Sequence, residues 1–93
     1  MIQRFRDRRT ERFFTGQRVR EFQGFAEQAV RRLTVLDNAE SLADLAGLPS
    51  NRLESLSGNR AGEFSIRINR QWRICFRWGD DGPYDVEIAD YHR

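Results

Sequence analysis

The chain contains no lysine: all 16 of its basic residues are arginine. It also has only one cysteine, one histidine and two prolines among 93 residues. A single cysteine, Cys75, permits no internal disulfide, so the chain is not a stapled domain of an oxidising compartment. One His and one Cys cannot furnish the ligand sets of a zinc site, and the acidic residues lack calcium-loop spacing. No metal or cofactor is therefore expected. There is no glycine-rich phosphate loop, since Gly58 and Gly62 read only as a turn signal, and no Ser or Cys nucleophile with a plausible triad. No apolar run is long enough for a signal peptide or a membrane helix. The N-terminus, MIQRFRDRRTERFF, instead interleaves charged and apolar residues. A cytoplasmic protein with no membrane partner is the expectation.

The absence of lysine has two readings. Coding bias toward arginine is the larger contributor, while guanidinium forks also suit bidentate phosphate contacts better than ammonium does. With a net charge of +2, any nucleic-acid footprint must come from clustering of arginines. The Arg31–Arg32 pair and the cluster Arg4, Arg6, Arg8 and Arg9 read most simply as solvated faces, with salt-sensitive RNA footing as the alternative.

What is present is enough for one small core. The composition, 39% hydrophobic with 7 Phe, 2 Trp and 2 Tyr, belongs to a folded chain, and the length suits a single domain over residues 1–93. Ile2 to Phe5 reads as a short strand, followed by a charged stretch ending at Gly16. Phe22, Phe25, Ala26, Ala29, Val30, Leu33 and Leu36 recur at three- and four-residue steps, which predicts the main helix. Asp37 and Asn38 break it. Ser41 followed by Asp44 resembles a capping box opening a short second helix, which Gly47 and Pro49 stop.

After Pro49 the period becomes two. Arg52 to Leu56 can form a strand, Ser57 to Gly62 a loop, and Phe64, Ile66 and Ile68 alternate with Ser65 and Arg67. Trp72, Ile74, Phe76 and Trp78 alternate with Arg73, Cys75 and Arg77. A three-residue loop Asn69–Gln71 then pairs Ile66 with Ile74, Phe64 with Phe76 and Arg67 with Arg73. Continuing across the turn Gly79–Pro83 sets Phe76 opposite Val86, Ile74 opposite Ile88, Arg73 opposite Ala89 and Arg77 opposite Asp85. Parity makes Trp72 and Trp78 core residues rather than base-stacking platforms, and Cys75 a packing residue more than a reactive thiol.

Two features point toward chemistry. Like charges directly opposite on a sheet face destabilise it, so Arg67 facing Arg73 calls for an anion between them, for side chains splayed into water, or for screening by Glu63 and Glu87. The chain then closes on Asp90, Tyr91 and His92, with Tyr91 diagonal to Arg73. A ribonuclease that uses the RNA's own 2′-hydroxyl needs a base, an acid and positive charge around the phosphate. His92, Tyr91 and Asp90 can share proton transfer and orientation, while Arg67, Arg73 and Arg60 hold phosphate. The competing reading is that a histidine beside a terminus is merely solvated.

The run Asn51–Gly62 (NRLESLSGNRAG), then Ser65–Asn69, Gln71–Phe76, Val86–Ile88 and Asp90–His92, closely resembles the HigB branch of the RelE/ParE toxin superfamily over essentially the whole chain. The resemblance implies an α+β RelE-like domain, two to three helices on one face of a mainly antiparallel twisted sheet, with the active site on the other. It implies a metal-independent endoribonuclease, an mRNA interferase that cuts messenger RNA in the ribosomal A site. Its implied partners are the ribosome, mRNA and a neutralising HigA-type helix-turn-helix antitoxin, through which alone it would meet DNA. It assigns Arg73 to the scissile phosphate, His92 with Tyr91 to proton transfer and Asp90 to positioning. Some relatives carry histidine at the position of Glu54 and lysine at that of Ser57. Glu54 then serves as a base or orients His92, and Arg52 or Arg60 replaces the missing cation. The alternative from another class is a noncatalytic RNA- or antitoxin-binding module, a decayed toxin.

Overall fold

A computed structural model describes residues 1–90, which form an α+β fold with helices packed on one face of a four-stranded sheet. The elements are α1 (Arg8–Phe14), α2 (Ala26–Asn38), α3 (Leu42–Ala46), β1 (Glu54–Ser55), β2 (Phe64–Arg67), β3 (Trp72–Gly79) and β4 (Gly82–Asp90). The strands lie in the order β1-β2-β3-β4 and every pair is antiparallel. Residues before α1 add a short parallel contact along β4, with Phe5 bridging Val86. The expected strand at Ile2–Phe5 is thus an extended edge segment, held by Gln3 N–H to the Pro83 carbonyl at 2.8 Å and Arg6 N–H to that of Val86 at 2.9 Å.

The charged stretch after it is helical, which the apolar pattern alone does not reveal. Asp7 caps α1 by accepting from the Thr10 amide at 3.3 Å, and only Thr10 and Phe13 are buried along it. Thr10 in turn accepts from the Ile88 amide at 3.1 Å, tying the helix to the β4 edge. The main helix is shorter than its periodicity predicts. Arg20–Phe25 winds as a 3-10 helix before α2 begins at Ala26. Ala29, Leu33 and Leu36 face the core, whereas Val30 is 52% exposed and lies off the apolar stripe. Ser41 does cap α3, accepting from the Asp44 amide at 3.2 Å. The Asp44 carboxylate returns to the amide of Glu40 rather than that of Ser41, at 2.9 Å.

The main core lies between helices and sheet. Phe22 is fully buried, edge-on to Phe13 at 5.3 Å and to Trp72 at 5.8 Å between ring centroids. Burying such a ring contributes about 1.5–3 kcal/mol. Leu33, Leu36 and Leu45 meet Ile66, Ile74, Phe76, Val86 and Ile88 from the sheet.

The β2–β3 register is the expected one: Phe64 opposite Phe76, Ile66 opposite Ile74 and Arg67 opposite Arg73. Along β4 it holds for Arg73 with Ala89 and Ile74 with Ile88, then shifts. Arg77 faces Tyr84, not Asp85 as the alternation predicts. Asp85 is an extra residue with φ +51°, and a bulge there absorbs one position. The turn is accordingly only two residues, Asp80 and Asp81, between paired Gly79 and Gly82.

Candidate active site

Strand alternation sends Ser65, Arg67, Arg73, Cys75, Glu87 and Ala89 to the face opposite the helices, and pairing with Ser65 puts Glu54 there too. That face is not open throughout. Leu56 packs on Cys75 and Ala89 as a second small apolar cluster, all three at most 7% exposed. The loop after Leu56 closes over one end of the face, with the Leu56 amide bonded to the Glu63 carbonyl at 2.9 Å. Burial is also what pushes the Cys75 thiol up to about 11, against the weaker opposing field of Arg60.

Arg60 belongs to this closed end. Its guanidinium lies 3.0 Å from Glu63 and 3.0 Å from Glu87, and Arg6 approaches Glu63 at 3.4 Å. Burial works against the Arg60 charge, but the Glu87 hydrogen bond and the neighbouring negative groups outweigh it and raise its pKa. Glu63, only 2% exposed, is a buried acid whose role periodicity did not reveal. Neither Glu63 nor Glu87 screens the Arg67–Arg73 pair in the described ion pairs, since both partner Arg60.

The other end of the face carries that pair. Arg73 is 8% exposed and does not splay into water. It folds across β2, where its Nε donates to Ser65 Oγ at 2.7 Å and its Nη2 to the Arg52 carbonyl at 2.5 Å and the Ser65 carbonyl at 3.4 Å. Arg52 presents its carbonyl from a left-handed backbone, φ +45°, immediately after a 3-10 turn Pro49–Asn51, and so does not continue a strand from 52 to 56. Asn51 anchors the turn from a fully buried position: its Nδ2 donates to the Leu45 carbonyl at 3.0 Å, and its Oδ1 accepts from Arg32 at 2.6 Å. Like-charge crowding is thus relieved by drawing Arg73 sideways. Arg67 is half-buried, and its side chain makes no hydrogen bond or ion pair with another described residue.

The sequence-predicted residues therefore separate. Glu54, Arg67 and Arg73 share one face, Glu54 in the row of Ser65 and the arginine pair in the next, and the Arg52 backbone meets Arg73. Arg60 lies toward the other end. Asp90 pairs with Trp72 rather than with Arg73, so alternation places it on the helix side of the sheet, at its rim. There its Oδ2 accepts from Gln71 Nε2 at 3.0 Å, which ties the end of β4 to the β2–β3 loop. Tyr91 and His92 lie outside the described residues. Sequence reasoning missed Ser65, although a small hydroxyl directly beside two arginine positions was a usable signal. Among the described residues no three of His, Cys, Asp and Glu converge as a metal site, and no helix is long and apolar enough to cross a membrane.

The described residues thus form a small α+β protein, an antiparallel meander backed by helices with Arg67 and Arg73 on its far face. A family model described as the RelE-like toxin of the type II toxin-antitoxin system HigB matches residues 3–92. The chain belongs to this family of HigB-like toxins. It is 40% identical over 82 residues to Toxin HigB-1 of Vibrio cholerae serotype O1, covering 86% of both chains. It is 33% identical over 61 residues to Endoribonuclease HigB of Proteus vulgaris, covering 66% of this chain and 65% of that one. Among solved structures it resembles the YoeB–YefM complex of Staphylococcus aureus with a TM-score of 0.61 and 18% identity, covering 100% of this chain and 99% of that one. The YoeB dimer of the same organism gives 0.57 at 20% identity, covering 99% and 95%. These last two likenesses establish the fold alone.

Proposed function

We propose that this chain, acting as one domain over residues 1–93, is a metal-independent endoribonuclease that cuts messenger RNA in the ribosomal A site and thereby arrests translation in the cytoplasm. A HigA-type helix-turn-helix antitoxin holds it inactive and supplies any DNA contact. Family membership and a relative named as an endoribonuclease support the reading. The observation that carries it is the clustering of Glu54, Arg67 and Arg73 on one sheet face, beside the Arg52 carbonyl.

In this chemistry a base removes the 2′-hydroxyl proton, the 2′-oxygen attacks the adjacent phosphorus, and the 5′-oxygen departs with a proton from an acid. The products are a 2′,3′-cyclic phosphate and a 5′-hydroxyl. Arg73 and Arg67 stabilise the charge that accumulates on the phosphate oxygens. His92 and Tyr91 carry the protons, Asp90 positions them, and Glu54 serves as a base or as an orienting group. Arg52, whose backbone meets Arg73, is the supplementary cation. Arg60, offset by two carboxylates, is the poorer phosphate ligand.

The test is a short pulse of expression followed by mapping of messenger 5′ ends on translating ribosomes. Wild type is expected to produce ends within A-site codons, and Tyr91→Ala and His92→Ala to lose them. Growth arrest persisting unchanged in both variants would reject the catalytic assignment. The commitment of Arg60 to Glu63 and Glu87 favours one other reading, a noncatalytic binding module. Ribosome association without new messenger ends would select it.

A further inference from the structure

We propose that Ser65, together with the backbone carbonyl of Arg52, is a positioning residue that fixes the Arg73 guanidinium for phosphate binding. This deepens the reading above and rests on Arg73 being the ligand of the scissile phosphate.

Ser65 is fully buried, and its hydroxyl takes the Arg73 Nε–H at 2.7 Å. The Arg52 carbonyl takes Nη2 of the same guanidinium. Nε and Nη2 lie on one edge of a rigid planar fork, so two acceptors there fix both the location of the group and the rotation of its plane. The direction of its remaining N–H donors follows. Both acceptors are themselves held. Ser65 sits in β2, between Glu54 on one side and Cys75 on the other. Arg52 is locked by its own amide bonding the Pro49 carbonyl at 3.1 Å and by the buried Asn51 anchor before it. A left-handed non-glycine residue is costly, and here it aims a carbonyl at the arginine on which the chemistry depends. A lysine at position 73 would meet neither requirement of the fork.

Preorganised donors stabilise transition-state charge only when they are already aimed at it, so loss of the Ser65 hydroxyl should appear in kcat more than in KM. The experiment measures cleavage of a 5′-labelled messenger on programmed 70S ribosomes by purified wild type, Ser65→Ala, Ser65→Thr, Arg73→Ala and the Ser65→Ala/Arg73→Ala double variant, each checked by circular dichroism and thermal melting. Ser65→Ala is expected to lose on the order of 10- to 100-fold in kcat, the range for one hydrogen bond to a charged group, with KM nearly unchanged. Ser65→Thr is expected to recover most of the loss, and Ser65→Ala to add nothing once Arg73 is absent. If Ser65→Ala does not fold, the volume-conserving Ser65→Cys takes its place. An undiminished kcat, or a loss that persists in the Arg73→Ala background, overturns the proposal while leaving the role of Arg73 standing. Full activity of Arg73→Ala instead removes the reading beneath it, and the proposal with it.

Discussion

Arg60→Ala separates a structural arginine from a phosphate-binding one. The Glu63 side chain is 2% exposed and that of Arg60 30%, and they meet at 3.0 Å. Removing one partner of a buried pair costs about 3–5 kcal/mol because the other charge is left uncompensated. Two features reduce that here: Arg6 remains 3.4 Å from Glu63, and water reaches part of Arg60. Halving the range leaves roughly 1.5–2.5 kcal/mol. A domain of this size has about 5–14 kcal/mol in total, so the loss is large but leaves a folded protein. Equilibrium urea unfolding is the suitable assay, because guanidinium chloride would screen the ion pairs. The midpoint should fall at unchanged slope. Glu63→Gln should cost less in the Arg60→Ala background than alone, showing that the two residues act on each other. Ribonuclease activity, corrected for the folded fraction, should stay near that of wild type. A stability loss under about 0.5 kcal/mol, the range of ordinary surface substitutions, would refute the account of this network.

The opposite behaviour is expected at Arg67→Ala: messenger cleavage falls at least tenfold while urea stability changes by less than about 0.5 kcal/mol, because no described ion pair is lost. Cys75 should resist iodoacetamide at pH 8 in the folded state and react once unfolded, since its thiol is buried and titrates near 11 against an ordinary 9.0. The folded state holds this proton more tightly, so stability is unaffected below pH 9 and declines by roughly 3 kcal/mol as pH rises from 9 to 11. Cys75→Ala should flatten that decline in urea titrations, and an equal slope in both proteins would show that other groups cause it. Gly62→Ala should lower the melting temperature by roughly 4–8 °C for a cost of about 1 kcal/mol. Its φ is +90°, and a Cβ there would lie 2.8 Å from Arg77 Nη1.

The parts legible in the sequence are those in which side-chain period and backbone geometry are the same fact. Ile66 facing Ile74 and Arg67 facing Arg73 follow from alternation plus one loop length, and both occur. Asp85 defeats the same argument further along, because a residue in left-handed backbone removes one position without altering which side chains are apolar. α1 escapes for another reason: its stability comes from the Asp7 cap and the Thr10 hydroxyl on β4, neither of which produces a hydrophobic stripe. Leu56, Cys75 and Ala89 did carry a signal, being apolar at positions whose parity is otherwise polar, and they are where the loop folds over the second face. For the candidate site, alternation locates two facing arginines but not how their repulsion is relieved. That depends on a carbonyl aimed by Arg52, 21 residues away from Arg73 in sequence. The two ends of one face then acquire different chemistry from the same residue type. Carboxylates hold Arg60 and offset its charge, whereas the described bonds of Arg73 run to neutral oxygens that set its direction. A run of arginines thus becomes a scaffold at one end and a candidate phosphate site at the other, through the acceptors that the fold brings to each.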